Sequence, residues 1–318
     1  MPTQPLVRIG ARGSRLSLAQ AGQMQRRIAA ALGAGPADAE RVAPLTVITT
    51  TGDRVQDRRL LEIGGKGLFT KEIEDALLEG RIDCAVHSMK DMPVEGPDGL
   101  VIAAVPERED PRDALICRTA ASLEALPRGA RLGTASLRRQ AQSLYRRPDL
   151  DIQLLRGNVD TRLRKLADGE ADAILLAYAG LRRLGLADEA VGLIDPYEAP
   201  PAPGQGALAI QTRAETAGAR WLADLHDAPT EVAVAAERSA LAALEGSCRT
   251  PVGAYAWLEA GRLRLVVEAL TPDGSSRFRH EADAELSAAR SPVQAARDLG
   301  TSLGNLIRQE AGEAIEFG

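Results

Sequence analysis

The sequence has 318 residues, of which 45% are hydrophobic and 26% charged, the balance of an ordinary globular protein with two or three domains. Its net charge of -5 argues against a general nucleic-acid binder, and no apolar run is long enough to cross a bilayer. The first residues lack the apolar core of a signal peptide, so we expect a cytoplasmic location and neither a nucleic-acid nor a membrane partner.

The chain contains three cysteines, Cys84, Cys117 and Cys248, and three scattered histidines. An odd and sparse cysteine count argues against a disulfide framework. Cys84 and Cys117 lie inside apolar segments and are expected to be core residues. Because no cysteine has a histidine at ligand spacing, we expect no metal site.

Segments typical of strands alternate with segments typical of helices. The first part of the chain predicts strands at 6–10, 42–49, 83–88 and 100–105 and helices at 17–32 and 69–80. The middle part predicts strands at 114–117, 130–134, 151–155 and 171–177, with helices near 136–147, 158–168 and 178–184. This alternation favours α/β layers with largely parallel sheets.

Two stretches rich in proline, 106–113 and 198–206, interrupt the alternation as linkers would. The C-terminal part, with a helix at 231–246, a strand at 262–271 and a helix at 293–311, predicts a smaller α+β domain. If the linkers are paired crossings, the expected domains are a discontinuous domain 1 (1–106 and 205–226), an inserted domain 2 (112–200) and domain 3 (229–318).

Three predicted helices begin with arginines instead of the acidic residues that the positive end of a helix favours. Arginine beside free backbone N–H groups is disfavoured unless an anion binds there, so we interpret these turns as anion sites. The alternative for any one turn is solvated surface arginine. The residues concerned are Arg12, Ser14 and Arg15, then Thr134, Ser136, Arg138 and Arg139, and finally Arg156, Asn158 and Arg162.

The motif HSMKDMP (87–93) closes a predicted strand and turns before a proline. Ser88 and Lys90 could contact an anion there, and Asp91 lies at the strand edge where open α/β sheets bind ligands. A carboxylate at that position could serve as a general acid and base. The alternative is a salt-bridged surface aspartate.

Two further loops contain candidate residues. Cys248 lies between a helix and a strand beside Arg249, and a cationic neighbour favours the nucleophilic thiolate, although a structural cysteine is equally compatible. The segment 53–67 reads as a long mobile loop, and the motif GGKGLF (64–69) spans its end and the start of the next helix. There Lys66 and Phe69 could belong to a hinged lid, or to a flexible loop with a core phenylalanine.

Taken together and in this order, these segments resemble the hydroxymethylbilane synthase (porphobilinogen deaminase) family. The combination of HSMKD, SLRRQ and RGNVDTRL is highly specific as a set. The matching segments extend from the N-terminus to beyond residue 255 and are ARGS, TTTGD, GGKGLFTKE, DCAVHSMKDMPVE, EREDPRDAL, GTASLRRQ, RRPDL, LRGNVDTRL, LLAYAGLRRLGL, PGQGAL and LEGSCRTPVGAYA.

The resemblance implies an α/β fold with two doubly wound, periplasmic-binding-protein-like domains around a cleft, plus a smaller α+β C-terminal domain. It implies a monomer with a dipyrromethane cofactor held by a thioether, here on Cys248. Four porphobilinogen molecules would be joined to this primer with loss of ammonia, and hydrolysis would release the tetrapyrrole.

The resemblance also implies roles for individual residues. Asp91 would be the catalytic carboxylate that assists departure of the amine. The cofactor would be bound by Cys248, Ser88, Lys90, Ser136, Arg138, Arg139 and Arg162. The substrate would be bound by Arg12, Ser14, Lys66, Phe69, Arg156 and Gln205.

Three other functions compete with this one. A non-catalytic two-lobed anion-binding protein explains the arginine turns but neither Cys248 nor the Asp91 motif. A nucleic-acid-binding module conflicts with the net charge and the 3% aromatic content. A cysteine-dependent hydrolase needs a histidine close to Cys248, and the sequence has none nearby.

Overall fold

The computed structural model describes residues 6–54, 69–244, 250–287 and 290–315. The chain divides into two compact units, each described here by itself. The first consists of Met1–Glu109 with Ala207–Thr230, and the second of Asp110–Gly206 with Glu231–Gly318.

The described helices and strands follow one another in chain order. Up to residue 109 they are β1 (Ile9–Arg12), α1 (Arg15–Ala31), α2 (Ala39–Val42), β2 (Leu45–Ile48), α3 (Thr51–Arg54), α4 (Lys71–Leu78), β3 (Cys84–Ser88) and β4 (Leu100–Ala104). Between residues 110 and 206 they are β5 (Asp113–Cys117), β6 (Arg131–Thr134), α5 (Leu137–Arg146), β7 (Asp151–Leu154), α6 (Val159–Ala167), β8 (Ala173–Ala177), α7 (Tyr178–Arg183) and β9 (Gly192–Leu193). Beyond residue 206 they are β10 (Leu208–Arg213), α8 (Arg220–Ala223), α9 (Ala228–Ala243), β11 (Val252–Glu259), β12 (Arg262–Leu270), β13 (Arg277–Glu285) and α10 (Pro292–Ala311).

The first unit is built on a five-stranded sheet with the order β2-β1-β3-β10-β4. Alternate residues of β3 face opposite layers: Cys84 and Val86 belong to the core formed with α1, and Ala85 to the core formed with α4. Because both faces of the sheet are covered by helices, its central strands are buried along most of their length.

The second unit contains a similar five-stranded sheet with the order β7-β6-β8-β5-β9. Here Leu175 and Leu176, neighbours on β8, lie in separate cores on the two faces of the sheet. The structure thus has the expected α/β class, with two sheet-rich domains and a smaller C-terminal domain.

The expectation of largely parallel sheets holds for four of the five strands in each sheet. The exceptions are β10 and β5, each of which lies one place in from an edge. In the first sheet β1 runs parallel to β2 and β3, but β10 lies antiparallel between β3 and β4. In the second sheet β6 is parallel to β7 and β8, and β5 is antiparallel to β8 and β9. Hydrophobic period identifies a strand but not the direction in which it enters a sheet.

The C-terminal domain is an antiparallel sheet of three strands, β11-β12-β13, covered on one face by α9 and α10. Only β12 was predicted, because β13 alternates charged residues with small ones and has no strong apolar face. Of the predicted loop 53–67, only residues 53 and 54 are among those that the structure describes. Among the described helices, none is long and apolar enough to cross a membrane.

Helices α9 and α10 pack with almost no side chain between them. Gly304 of α10 faces Ala240 of α9 so closely that an added Cβ would lie 2.6 Å from the Ala240 carbonyl oxygen. At Gly300, one turn earlier, a Cβ would come within 3.0 Å of the carbonyl carbon of Ala236. This contact sets the distance between the two helices that support the C-terminal sheet.

We expect Gly300→Ala to lower the free energy of unfolding by about 2 kcal/mol, because the methyl group would meet rigid helix backbone. This clash outweighs the roughly 1 kcal/mol by which alanine is favoured over glycine in a helix. Urea unfolding followed by circular dichroism measures the effect. The control is Gly35→Ala, where φ is -74° and no atom lies within 4 Å of an added Cβ. Equal or greater stability of Gly300→Ala would contradict this packing.

Candidate active site

A pocket in the first unit lies at the carboxyl ends of the parallel strands β1 and β3, beside the N-termini of α1 and α4. This edge of an open α/β sheet is the usual place for a ligand. The pocket is lined by Arg12, Ser14, Leu16, Ser17, Gln20, Phe69, Thr70, Val86, His87, Ser88 and Asp91. Five of the predicted site residues therefore line one pocket: Arg12, Ser14, Phe69, Ser88 and Asp91.

The start of α1 gives this pocket a positive wall. Ser14 is the N-cap, and its hydroxyl accepts a hydrogen bond of 3.2 Å from the backbone N–H of Ser17. The first turn of α1 contains no acidic residue, and the guanidinium carbon of Arg12 lies 4.2 Å from the centre of the Phe69 ring. A helix N-terminus beside an arginine fixed on an aromatic ring favours an anionic ligand.

Asp91 ends a single tight turn, Met89–Asp91, that directly follows β3. The turn is anchored by Met89, whose side chain is buried and whose N–H donates to the carbonyl of Ala207 at 3.0 Å. Lys90 lies on the same turn and is half-buried, while Asp91 itself is exposed. The predicted acid thus stands on a rigid support at the pocket.

Behind the pocket runs a chain of buried polar groups. The His87 Nε2 atom lies 3.1 Å from the Oε1 atom of Gln211, whose Nε2 atom donates to the Oε1 atom of Glu74 at 3.2 Å. Because the amide nitrogen of Gln211 faces the carboxylate, its oxygen faces the histidine, and His87 donates from Nε2. Burial lowers the pKa of His87 to about 4. The hydrogen bond to Gln211 acts in the opposite direction, and repulsion from Arg12 lowers the pKa further. His87 is therefore a neutral part of the pocket wall.

The second unit has a buried ion cluster at the start of α5. Ser136 is the N-cap of this helix, and two arginines of its first turn bind one carboxylate, that of Asp113 on β5. The Arg138 Nη1 atom lies 2.8 Å from Oδ2 of Asp113, and the Arg139 Nη2 atom 2.7 Å from Oδ1. Burial alone would raise the pKa of Asp113, but attraction to the two arginines holds it well below its usual range.

A second arginine pair, beside the start of α6, has no such carboxylate among the residues that the structure describes. Buried atoms Nη1 of Arg156 and Nε of Arg162 have no hydrogen-bond partner within the described ranges. Burial lowers the pKa of Arg162 to about 10, and repulsion from Arg139 and Arg156 adds to the shift. Since buried polar atoms are normally satisfied, these donors indicate a position for an acceptor from a ligand.

Gln205 makes contacts other than those expected of a substrate-binding residue. Its side chain is fully buried, and its Nε2 atom donates to the carbonyl of Pro111 at 2.7 Å and to Asp113 at 2.8 Å. Its predicted contact with substrate stays a prediction. Lys66 and Cys248, which were also predicted, lie outside the described residues.

Several residues that shape the site were missed from the sequence. Asp113 lies in the segment EREDPRDAL and His87 in HSMKD, both of which were identified as motifs in the sequence. The spacing of these residues does not indicate which partners they contact. Thr70 had no signal at all: it lines the pocket, and its hydroxyl is buried without a hydrogen-bond partner within the described ranges.

Comparison with known proteins identifies the class to which this fold and these sites belong. A family model described as porphobilinogen deaminase, dipyromethane cofactor binding domain, matches residues 7–220, and a model of the porphobilinogen deaminase C-terminal domain matches residues 232–309. The chain belongs to the porphobilinogen deaminase family.

The individual relatives agree over the whole chain. A porphobilinogen deaminase of Phenylobacterium zucineum is 70% identical over 318 residues, which cover 99% of each chain. One of Caulobacter vibrioides is 63% identical over 319 residues, again with 99% of each chain covered.

Solved structures of binding proteins are similar at a much lower level. The methionine-binding protein MetQ is 15% identical, with a TM-score of 0.43 over 69% of this chain and 87% of its own. A periplasmic substrate-binding protein of Coxiella burnetii is 14% identical, with a TM-score of 0.44 over 70% of this chain and 93% of its own. Scores this low carry no conclusion about a ligand.

We expect His87→Gln to change how stability depends on pH. The pKa of His87 is about 4 in the folded protein and about 6.5 in the unfolded chain. The neutral histidine therefore contributes its full stability above pH 6.5, and this contribution is lost as the pH falls through 4. Between pH 7 and pH 4 the wild type should therefore lose about 3 kcal/mol more than the variant. Urea unfolding of both proteins across this range tests the expectation, and parallel pH profiles would contradict it.

Proposed function

We propose that this chain catalyses the reaction of its family on porphobilinogen. Four molecules are joined head to tail onto a covalent dipyrromethane primer with release of ammonia, and hydrolysis then frees linear hydroxymethylbilane. The observation that carries this proposal is the full-length match to porphobilinogen deaminases at 63–70% identity, together with the match of residues 7–220 to the cofactor-binding domain.

The residues of the second unit fit the cofactor. Each pyrrole of a dipyrromethane bears two carboxylates, and the buried donors of Arg156 and Arg162 have no partner among the described residues. A carboxylate of the cofactor would satisfy Arg162, and a carboxylate of the substrate would satisfy Arg156, by charge-assisted hydrogen bonds. When bound, the dipyrromethane supplies the electron-rich pyrrole carbon to which the next unit is joined. We assign its binding to Ser88, Lys90, Ser136, Arg138, Arg139 and Arg162, with Cys248 as the attachment point.

The pocket of the first unit would bind the incoming substrate. Arg12, with its guanidinium over the Phe69 ring, and the capped helix end at Ser14 supply the positive charge that the substrate carboxylates need. Lys66, which lies outside the described residues, would add a further contact. Gln205 would act on the ligand through Asp113, since its amide is hydrogen-bonded to that carboxylate.

Asp91 would perform the proton transfer. A carboxylate that shares a pocket with a cationic guanidinium can assist departure of the protonated amine and stabilise positive charge on the pyrrole nitrogen. The neutral His87 behind it does not compete for that proton at neutral pH, because its pKa is lowered to about 4 by burial.

We further propose that the protein acts as a monomer in the cytoplasm, without a nucleic-acid partner. The net charge of -5 disfavours phosphate backbones. Cys84 and Cys117 are both free and buried, which is compatible with a reducing compartment.

The first experiment is the intact mass of the purified, denatured protein with peptide mapping around Cys248. We expect an excess equal to two linked pyrrole units on that cysteine, and none in Cys248→Ser. If the wild type is unmodified, porphobilinogen is added and the mass measured again. A mass that still does not change would favour the alternative, a non-catalytic anion-binding protein.

We expect Asp91→Asn to keep the fold and the cofactor mass but to lower kcat by at least about 100-fold, because a general acid is removed. The control is Asp98→Asn, a substitution at an exposed position that does not line the pocket. Release of ammonia and tetrapyrrole per cofactor-loaded molecule measures the effect. Near-normal turnover of Asp91→Asn would remove this residue from its assigned role.

A further inference from the structure

A buried carboxylate in the C-terminal sheet has no part in the sites described so far. Glu268, on the central strand β12, is only 1% exposed. Its Oε2 atom lies 2.6 Å from Nη2 of Arg277 and 3.6 Å from Nη1 of Arg279, both on β13. Its Oε1 atom accepts a hydrogen bond of 2.7 Å from Gln142 on α5. Because a buried charge is costly unless it is well paired, so complete a set of partners indicates a fixed position.

Gln142 transmits this position to the arginine cluster. Its Nε2 atom donates both to Glu268 and to the carbonyl of Pro200, the latter at 2.8 Å. With the amide nitrogen facing two acceptors, the oxygen must face the other way. There it accepts a hydrogen bond of 2.8 Å from Nη1 of Arg138. Glu268 and the carbonyl of Pro200 together therefore decide which end of the Gln142 amide meets Arg138.

Arg138 is held from one side only. Its Nη1 atom donates to Gln142, to Asp113 at 2.8 Å and to the carbonyl of Pro200 at 3.3 Å. Its Nε atom is buried and has no hydrogen-bond partner within the described ranges. Burial lowers the pKa of Arg138, whereas Asp113 and, more weakly, Glu268 oppose that shift. The three fixed contacts orient the guanidinium and leave Nε for an acceptor from outside the network.

The sheet that contains Glu268 lies directly on the helix that contains Gln142. At Gly274, between β12 and β13, φ is +71° and an added Cβ would lie 2.5 Å from the backbone nitrogen of Tyr145 on α5. The side-chain amide of Gln140 donates to the carbonyl of Pro272 at 3.0 Å, and Arg277 lies over the ring of Tyr145. With backbone packed against backbone, a shift of the sheet must shift the helix.

We propose that Glu268 is a positioning residue for the reaction. Through Gln142 it orients Arg138 for the cofactor, and through the same bond it fixes the C-terminal sheet against α5. The inference rests on the proposed function, because Arg138 is there assigned to the cofactor. Glu268 itself touches neither cofactor nor substrate.

The test compares Glu268→Gln with the exchanged pair Gln142→Glu/Glu268→Gln. In the single variant the new amide nitrogen at 268 meets a donor on either side, Gln142 or Arg277. The Gln142 amide is then held by the carbonyl of Pro200 alone, and its contact with Arg138 is less well fixed. In the double variant the glutamine at 268 donates to the glutamate at 142, and that carboxylate accepts from Arg138. The carbonyl of Pro200 then loses the amide donor of Gln142, so the network is restored only in part. The readout is the rate at which cofactor-free protein gains the dipyrromethane mass after porphobilinogen is added, followed by intact-mass spectrometry.

We expect Glu268→Gln to gain the cofactor about tenfold more slowly than the wild type, and the double variant to recover part of this loss, to within about threefold of the wild type. Glu259→Gln is the matched control: Glu259 is exposed on β11 and paired to Arg264, so its loss should leave the loading rate unchanged. The thermal unfolding midpoint of each variant is recorded as well.

Loading of Glu268→Gln at the wild-type rate would overturn the proposal, as would equal defects in the single and double variants. Failure of both variants to fold would also overturn it, since Glu268 would then serve stability alone. If the wild type itself gains no cofactor, the proposed function fails instead, so the two failures are distinguishable.

Discussion

The ion cluster of Asp113 with Arg138 and Arg139 is the interaction on which the second unit depends. One carboxylate, 4% exposed, neutralises only part of the charge of two buried guanidinium groups. Such a cluster is stable only while every member stays paired, because a single unpaired buried charge costs several kcal/mol. Asp113 thereby fixes the first turn of α5 to the start of β5. The side chain of Gln205, in the linker 198–206, donates a hydrogen bond to the same carboxylate. The geometry of the arginine site follows from this one group.

The same local plan recurs in both units. A parallel strand ends, a polar residue caps the next helix, and arginine stands in or beside its first turn. The caps are Ser14, Ser136 and Asn158, and each accepts a hydrogen bond from a backbone N–H three residues on. Capping satisfies one N–H and leaves the others directed toward the ligand position. The plan suits a polyanion, since each helix end can hold one carboxylate of a chain that bears many.

The sequence predicted the elements of this plan better than their partners. The arginine turns were recognisable because arginine at a helix start violates a local electrostatic preference, and that preference acts within one turn. The role of Asp113 was not recognisable, because this residue contacts Arg138 only in the folded sheet, and the two are 25 residues apart in the sequence. His87 likewise depends on Gln211, which arrives on a strand 124 residues later. The direction of β10 was missed for the same reason: it is set by tertiary pairing and not by local periodicity.

The position of β10 has a consequence for how the protein is made. Leu208 pairs with Ser88 and Arg213 with Leu100, so β10 fills the gap between two strands that emerge from the ribosome long before it. Until residue 213 has been synthesised, β3 and β4 each present an unpaired edge, the kind of surface that promotes association between chains. The intervening segment has its own sheet and can fold while that gap is open. Closing the first sheet is thus a late, long-range step, and the newly made chain is most vulnerable to aggregation before it.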